Sequence, residues 1–321
     1  MSEMIAQAAQ ALLAADNILV ISHRRPDGDT TGCAGALCRG LRQLGKTAYV
    51  LPNPDLTARY QQLIEPCYAP EDFIPECIVT TDIADYSLLT ENAKQYQERI
   101  DIVLDHHRSN GMDAPVRVVR ETAGANAEVV LDVLDAMHVT MDKEIATCIY
   151  VALSTDTGCF RYSNTTPNTL RAAARCLEAG VDGGELNRKL FEVKSWPRFQ
   201  IERIVFDSME FLREGKIALV MIHRKDIDQT GADIDDLDSI AALTRQIEGV
   251  QVGITLTENK DSTCKISVRT TKEVDASAIC ARCGGGGHLR AAGATMSCSI
   301  DEARARILEA AEQVYGESEL A

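Results

Sequence analysis

Asn17-Ile18-Leu19-Val20-Ile21-Ser22-His23-Arg24-Arg25-Pro26-Asp27-Gly28-Asp29 is the stretch that decides how this chain is read. An apolar run that stops in a polar turn with Pro and Gly predicts a buried strand passing into a loop. In open α/β sheets, ligands bind at the carboxyl edge where such strands end. The turn from His23 to Asp29 holds one imidazole and two carboxylates in seven residues. Carboxylates held that close repel one another unless something positive lies between them, and a divalent metal is the simplest candidate.

The same pattern recurs along the first half. Ile78-Val79-Thr80-Thr81 stops at Asp82, and Ile100-Asp101-Ile102-Val103-Leu104 stops at Asp105-His106-His107. Val151-Ala152-Leu153-Ser154-Thr155 leads into Asp156-Thr157-Gly158, closing a helix that starts near Lys143. Four such endings let carboxylates and imidazoles from separate segments converge on one point.

Strands are predicted at 18–22, 47–51, 78–81, 100–104 and 116–119, with helices at 32–44, 127–137, 143–154 and 168–178. Alternating strands and helices imply a mostly parallel sheet covered on both faces. The run Gly180-Val181-Asp182-Gly183-Gly184 breaks the pattern, and 196–213 reads as a connecting helix with Trp196 as a packing anchor at the domain junction. A second pattern follows, with strands at 217–222, 250–257 and 264–269 and helices at 237–248, 277–280 and 301–315. The acidic stretch from Asp233 to Asp238 reads as a solvated loop and helix start. The expected architecture is α/β with two domains: a mostly parallel N-terminal sheet flanked by helices, and a smaller C-terminal α/β domain, with the active-site cleft between them. The expected bounds are 1–190, a linker helix at 191–214, and 215–321, the last with a glycine-rich loop ending in His288.

The 321 residues suffice for two domains of ordinary size, and 45% hydrophobic with 25% charged residues is typical of a globular protein. No apolar run approaches the length that spans a bilayer. The first sixteen residues are rich in Ala and Gln, without the basic start of a signal peptide, so a cytoplasmic protein without membrane partners is expected. Eleven Cys, scattered through apolar stretches, read as reduced thiols, and the lone Cys280-Ala281-Arg282-Cys283 lacks the second pair of a zinc site. The formal net charge of -15 argues against a partner as long as a nucleic-acid strand. An anionic substrate is then expected to be short and held by a local cluster of Arg, His and metal.

His23, Asp27, Asp29, Asp82, His106 and Asp156 make a set of two imidazoles and four carboxylates. That composition suits Mn²⁺ or Mg²⁺ and contains no thiolate. Six ligands exceed what one ion needs while keeping an open position. Two ions sharing a bridging carboxylate fit better, as in two-metal hydrolysis of phosphate esters.

These motifs, His23-x-x-Pro26-Asp27-Gly28-Asp29, Asp82, Asp105-His106-His107 and Asp156-Thr157-Gly158, resemble the four motifs of the DHH phosphoesterases. Gly284-Gly285-Gly286-Gly287-His288 with Ala291-Ala292-Gly293 resembles the glycine-rich signature of the domain that follows DHH in many members. The stretch from Asp156 to Thr166 is similar to the bacterial nanoRNase/oligoribonuclease branch, which is also described as acting on 3′-phosphoadenosine 5′-phosphate. The resemblance implies that His23 and Asp27 hold one metal, that Asp29, His106 and Asp156 hold the other, and that Asp82 bridges them. It places His107 at the scissile phosphate and Asp105 behind it, orienting an imidazole, so that His107, Asp82 and Asp105 are the catalytic residues. It implies substrate binding by Arg269, His288 and the backbone of Gly285, Gly286 and Gly287, where no Cβ blocks a phosphate. Arg108 is a further substrate contact expected from its place beside these ligands, whereas Arg24 and Arg25 read as solvated loop charges.

The expected activity is hydrolysis of very short oligoribonucleotides to 5′-mononucleotides with two divalent ions, together with removal of the 3′-phosphate of 3′-phosphoadenosine 5′-phosphate. The partners are then short oligoribonucleotides or nucleotide bisphosphates, and the family's frequent dimers imply a homodimer as an allowed assembly. The alternative is a phosphodiesterase for cyclic or linear signalling dinucleotides. Further behind stand an inorganic pyrophosphatase, whose second domain lacks this glycine run, and a non-catalytic nucleotide sensor.

Overall fold

Five short apolar runs form the first sheet of the computed structural model, which describes residues 2–237, 240–271 and 274–319. They are β1 (Ile18–Ile21), β2 (Ala48–Val50), β3 (Cys77–Thr81), β4 (Ile102–Asp105) and β5 (Val116–Val119), all parallel, in the order β2-β1-β3-β4-β5. Every residue of β1, β3 and β4 is buried, as continuous apolar strands require when helices cover both faces. Ile21 lies opposite Thr80, and Thr81 opposite Leu104. The carboxyl ends of β1, β3 and β4 therefore stand side by side, and whatever follows those strands meets at one edge.

The flanking helices are α1 (Glu3–Ala14), α2 (Gly28–Gln43), the short α3 (Gln61–Ile64), α4 (Asn126–Ala136), α5 (Lys143–Asp156), α6 (Pro167–Glu178) and the short α7 (Gly183–Asn187). α2 starts earlier than the expected residue 32, because the Asp27 carboxylate accepts from the Asp29 and Thr30 N–H groups at 3.0 and 3.1 Å and caps it. α2 and α5 approach closely through glycine. A Cβ on Gly32 would lie 2.3 Å from the Cys148 carbonyl oxygen, and one on Gly28 would lie 2.3 Å from Thr155 Oγ1. That contact carries the start of α2, with its acids, toward the end of α5 at Asp156.

The chain divides into two units, Met1–Val193 and Lys194–Ala321. In the second, α8 (Trp196–Asp207) ends six residues short of the expected helix end at 213. The residues beyond it form edge strand β6 (Glu210–Leu212), which pairs with β7 (Ile217–Ile222). Ile201 and Val205 of α8 pack on Val220 and Ile222, so this helix belongs to the core of the second unit and is not a free linker. Trp196, expected as a packing anchor, is 69% exposed and stacks on Phe199.

The short helices α9 (Arg224–Thr230) and α10 (Ile234–Leu237) follow. Residues 240–246 form a 3₁₀ helix where an α-helix over 237–248 was expected, and Asp238 and Ser239 of that span lie outside the described residues. The remaining elements are β8 (Val252–Glu258), β9 (Cys264–Thr270), α11 (Ala276–Ala281), β10 (Gly286–His288), β11 (Ala291–Met296) and α12 (Ile300–Glu319). The six-stranded order is β10-β11-β9-β8-β7-β6, with only β7 and β8 parallel. One sheet face carries Leu219, Ile254, Ile266 and Val268 against Ala303, Ile307 and Ala311 of α12. Among the described residues, no helix is long and apolar enough to cross a membrane.

Gly32→Ala should destabilise the protein. Overpacking costs about 1–3 kcal/mol. Here the methyl would meet backbone, which cannot step aside, so the cost outweighs the roughly 1 kcal/mol that alanine gains over glycine inside a helix. Urea unfolding followed by far-UV circular dichroism reads the sign, and a stabilised variant would refute the α2–α5 contact.

Candidate metal centre

The carboxyl edge of the first sheet assembles every acid and imidazole expected there. His23 follows β1, Asp27 caps α2, Asp29 lies in its first turn, Asp82 follows β3, Asp105 ends β4 with His106 and His107 beyond it, and Asp156 is the last residue of α5. Asp82 has φ 60, a left-handed backbone that Asp tolerates better than most residues. Such backbones cluster at functional sites.

Two clusters of ligand atoms meet at Asp82. On one side, His23 Nε2 lies 3.7 Å from Asp27 Oδ1 and 3.8 Å from Asp82 Oδ2. On the other, His106 Nε2 lies 3.8 Å from Asp29 Oδ2, 3.6 Å from Asp82 Oδ1 and 3.7 Å from Asp156 Oδ2. These separations are too long for hydrogen bonds. They match ligand atoms around a shared ion, which sit roughly 3–4 Å apart when each bond is about 2.1 Å.

The imidazole tautomers favour the same reading. His23 Nδ1 lies 2.8 Å from the Arg24 carbonyl oxygen, and His106 Nδ1 lies 3.2 Å from that of Ala123. A carbonyl only accepts, so each Nδ1 carries hydrogen and each Nε2 is turned to the carboxylates. Asp82 Oδ1 is buried without a protein hydrogen-bond partner, as are both amide atoms of Asn126. Orphaned polar atoms of that kind are costly unless an ion or water completes them.

Electrostatics make the metal-free arrangement unfavourable. Burial, with repulsion from Asp156 and Asp27, pushes the Asp29 carboxyl well above its ordinary value. Burial, with Asp29, Asp27, Asp105 and Asp156 around it, does the same to Asp82. Burial also raises Asp156, although His106 works against it. The His23 imidazole resists burial and holds its proton more strongly than usual, because Asp27 faces it. Protons and metal cations thus compete for the same buried carboxylates. Cys33 Sγ lies 3.2 Å from Asp29 Oδ1, and burial beside that carboxylate pushes its thiol up. Four carboxylates and two imidazoles remain, a donor set suited to hard or borderline divalent ions.

Asp29 has a support that its sequence does not announce. The N–H groups of Asn126 and Ala127, at the start of α4, donate to its carboxylate at 2.6 and 3.1 Å. A helix N-terminus is positive, so it steadies this buried anion. Thr30 donates to the Thr81 carbonyl at 2.8 Å, and Asn53 donates to the His23 carbonyl at 2.9 Å, tying the loop after β1 to the neighbouring strands.

His107 also lies by Asp82, with Nδ1 3.5 Å from Oδ1, but its hydrogen-bond partner is Asp105. Its Nδ1 lies 2.8 Å from Asp105 Oδ1, and this contact, against the opposing effect of burial, raises the imidazole pKa. Asp105 also accepts from the His106 N–H at 2.7 Å and from Asn110 Nδ2 at 2.5 Å. Its burial is outweighed by those donors, so it stays ionised below the ordinary range. Asn110 is a functional neighbour missed in the sequence. The only local signal was Asn110-Gly111, which reads as a turn. The Arg108 side chain is 91% exposed, with its Nε 3.8 Å from Glu121, and joins neither cluster.

The second unit holds the other expected residues on one sheet face. The glycine run, expected as a loop, is partly an edge strand: Gly286 pairs with Gly293, Gly287 with Ala292 and His288 with Ala291. Arg269 in β9 lies opposite Ala291, so His288 and Arg269 flank the same residue of β11. A Cβ on Gly285 would lie 2.2 Å from the Gly293 carbonyl oxygen, and Gly287 has φ 146, so both positions demand glycine. Gly285, Gly286, Gly287, His288 and Arg269 border a shallow depression of about 630 Å³.

Comparison with known proteins agrees with this division. The DHH family N-terminal domain matches residues 17–153, and the DHHA1 domain matches residues 214–317. The bifunctional oligoribonuclease and PAP phosphatase NrnA of Thermus thermophilus is 35% identical over 297 residues, which cover 91% of this chain and 88% of that protein. The crystal structure of an exopolyphosphatase-related protein from Bacteroides fragilis is similar over 99% of this chain and 100% of that one, with a TM-score of 0.87 at 21% identity. Exonuclease RecJ bound to manganese is similar over 96% of this chain and 94% of that one, with a TM-score of 0.55 at 16% identity. The two structural likenesses are likenesses of fold.

The raised Asp82 carboxyl predicts a pH-dependent stability. In the folded metal-free protein, Asp82 holds its proton more tightly than in the unfolded chain. Stability therefore falls as pH rises from the ordinary value of 3.8 through the raised one. Asp82→Asn cannot ionise and escapes that loss. In EDTA, the variant should melt like the wild type near pH 4 and above it at pH 7. A variant that melts lower at pH 7 would show that no repulsion is relieved.

Proposed function

The chain belongs to the DHH family, and on that premise we propose a metal-dependent phosphodiesterase that degrades very short oligoribonucleotides to 5′-mononucleotides. The same site removes the 3′-phosphate of 3′-phosphoadenosine 5′-phosphate, since both reactions break the bond between phosphorus and a ribose 3′-oxygen. The observation that carries this reading is Asp82, faced by His23 and Asp27 on one side and by Asp29, His106 and Asp156 on the other. The 35% identity with NrnA, an oligoribonuclease and PAP phosphatase, supports the substrate class.

In this reading His23 and Asp27 would hold one Mn²⁺ and Asp29, His106 and Asp156 a second, with Asp82 shared between them and Mg²⁺ as the alternative ion. Bound there, two divalent ions supply Lewis-acid activation of water and neutralise charge on the phosphate. His107, with Nδ1 held by Asp105, presents Nε2–H to the phosphate being cut. Asp105 keeps that imidazole oriented and protonated, and Asn110 keeps Asp105 in place. Arg269, His288 and the N–H groups of Gly285, Gly286 and Gly287 bind substrate phosphate in the second unit, with Arg108 as an additional contact of the first. The protein works in the cytoplasm, where short RNA fragments and nucleotide bisphosphates arise.

The deciding experiment is Mn²⁺-dependent turnover on dinucleotides, five-mers, a long single strand, 3′-phosphoadenosine 5′-phosphate and pyrophosphate. Turnover per end should fall as RNA lengthens beyond a few nucleotides. Faster cleavage of the long strand, or activity confined to pyrophosphate, would sink the reading.

Two sets of variants test the roles. Asp82→Ala should lose both bound Mn²⁺ by elemental analysis and nearly all activity while staying folded, and retention of two ions would remove Asp82 from the site. His107→Ala should keep its metal and lose kcat. Arg269→Ala and His288→Ala should act mainly through KM, by about 1.5–3 kcal/mol if each removes a hydrogen bond to a charged group. Unchanged kinetic constants in both second-unit variants would deny the glycine-rich strand a role in binding.

A further inference from the structure

The exposed part of the second sheet has a feature that its expected phosphate-binding residues do not explain. Residues 265, 267 and 269 of β9 share one face, since side chains alternate along a strand. Ile266 and Val268 of the same strand are buried in the core on the other face. The depression is therefore bordered in one line by Lys265, Ser267 and Arg269, over a floor of small residues such as Gly293 and Ala291. On this face α8 lies over β7, and the 3₁₀ helix 240–246 lies over β8 and part of β9, with Thr244 against Gly253; the depression lies beyond them, along β9, β11 and β10.

Charge makes the depression unusual for this chain. The sequence has 48 Asp and Glu in 321 residues, so about two would be expected among thirteen lining residues chosen at random. The described residues lining the depression include none, and they include Lys265 and Arg269. Lys265 is exposed and is paired in register with Thr257 and Thr295, both neutral. A strip with a cation at each end and no acid between them favours a ligand that carries separated negative charges.

The spacing says how far apart those charges lie. β9 runs without a bulge from Cys264 to Thr270. Four residues at about 3.4 Å each put the Cα atoms of Lys265 and Arg269 roughly 14 Å apart. Successive phosphates of a single strand are about 3.4 Å apart along the axis when fully stacked and up to about twice that when extended. The two cations thus span between two and four nucleotides.

We propose that Lys265 is a length-reading residue: with one phosphate of an oligoribonucleotide held at Arg269, Lys265 contacts a phosphate two or more nucleotides along the same strand. A dinucleotide is too short to reach both positions, whereas a three- to five-mer engages them together. The inference rests on the oligoribonuclease reading above and adds to it the determinant that separates longer substrates from dinucleotides.

The test compares Mn²⁺-loaded wild type with Lys265→Gln and Lys265→Arg on an RNA dinucleotide and an RNA pentanucleotide. K265Q should lower kcat/KM for the pentanucleotide about tenfold, chiefly through KM, and at least fivefold more than for the dinucleotide. K265R should restore most of the difference. The slope of log KM against log salt for the pentanucleotide should flatten by about 0.7 in K265Q, the share of one phosphate contact on a single strand. Equal losses on both RNAs, or no loss on either, would overturn the length-reading role while leaving the phosphodiesterase reading intact. A wild-type enzyme that cleaves neither RNA would overturn that reading, and this inference with it.

Discussion

Mutual repulsion among four aspartates is the constraint on which the first unit depends. Asp27, Asp29, Asp82 and Asp156 come from the start of α2, the end of β3 and the end of α5, and each stands within reach of an imidazole that other aspartates also face. Packing alone would not hold them there. Asp29 and Asp82 are buried, and burying an anion without a partner is among the most costly acts a fold can perform. The structure meets that cost in three ways visible at once: the N-terminus of α4 donates to Asp29, the imidazoles aim Nε2 inward, and Asp82 keeps an oxygen for a cation. Groups placed this way could hold a metal ion, and the stability of the fold responds to the same charges.

The reach of sequence reading follows from the same physics. Strands β1, β3 and β4 were legible because parallel strands buried on both faces are continuous apolar runs. The acids and imidazoles expected as ligands could be picked out because they stand where such a run or helix stops or, for Asp27 and Asp29, where a helix starts. The supports were not. Asn126 and Ala127 touch Asp29 through backbone N–H groups, which any residue type could supply, so no side chain advertised them. Asn110 closes a turn by donating its N–H to the His107 carbonyl, and nothing in its local sequence shows that its amide also holds Asp105.

The second unit was harder to read for a related reason. Glycine is a poor strand former by propensity, so a run of four glycines reads as a loop. Here Gly286 and Gly287 become strand because Gly293 and Ala292 pair with them, a long-range choice that local sequence does not encode. β6 was lost in the same way. It is three residues long and exists because β7 offers it an edge. The helix expected to run through 213 ends at Asp207, where Ile204 closes the last turn by accepting from the Ser208 N–H.

The two units handle charge in opposite ways, and the opposition suits small polyanions. The first gathers acids that are neutral toward a phosphate only when cations lie among them. In the second, the described residues that line the shallow depression include no acid and do include Arg269 and Lys265. A long nucleic acid would meet the net charge of -15 over much of its length, and that field opposes its approach. A fragment of a few nucleotides carries few charges and meets far less of that field. Selection for short substrates can therefore arise from charge distribution alone, without a wall that blocks the long ones.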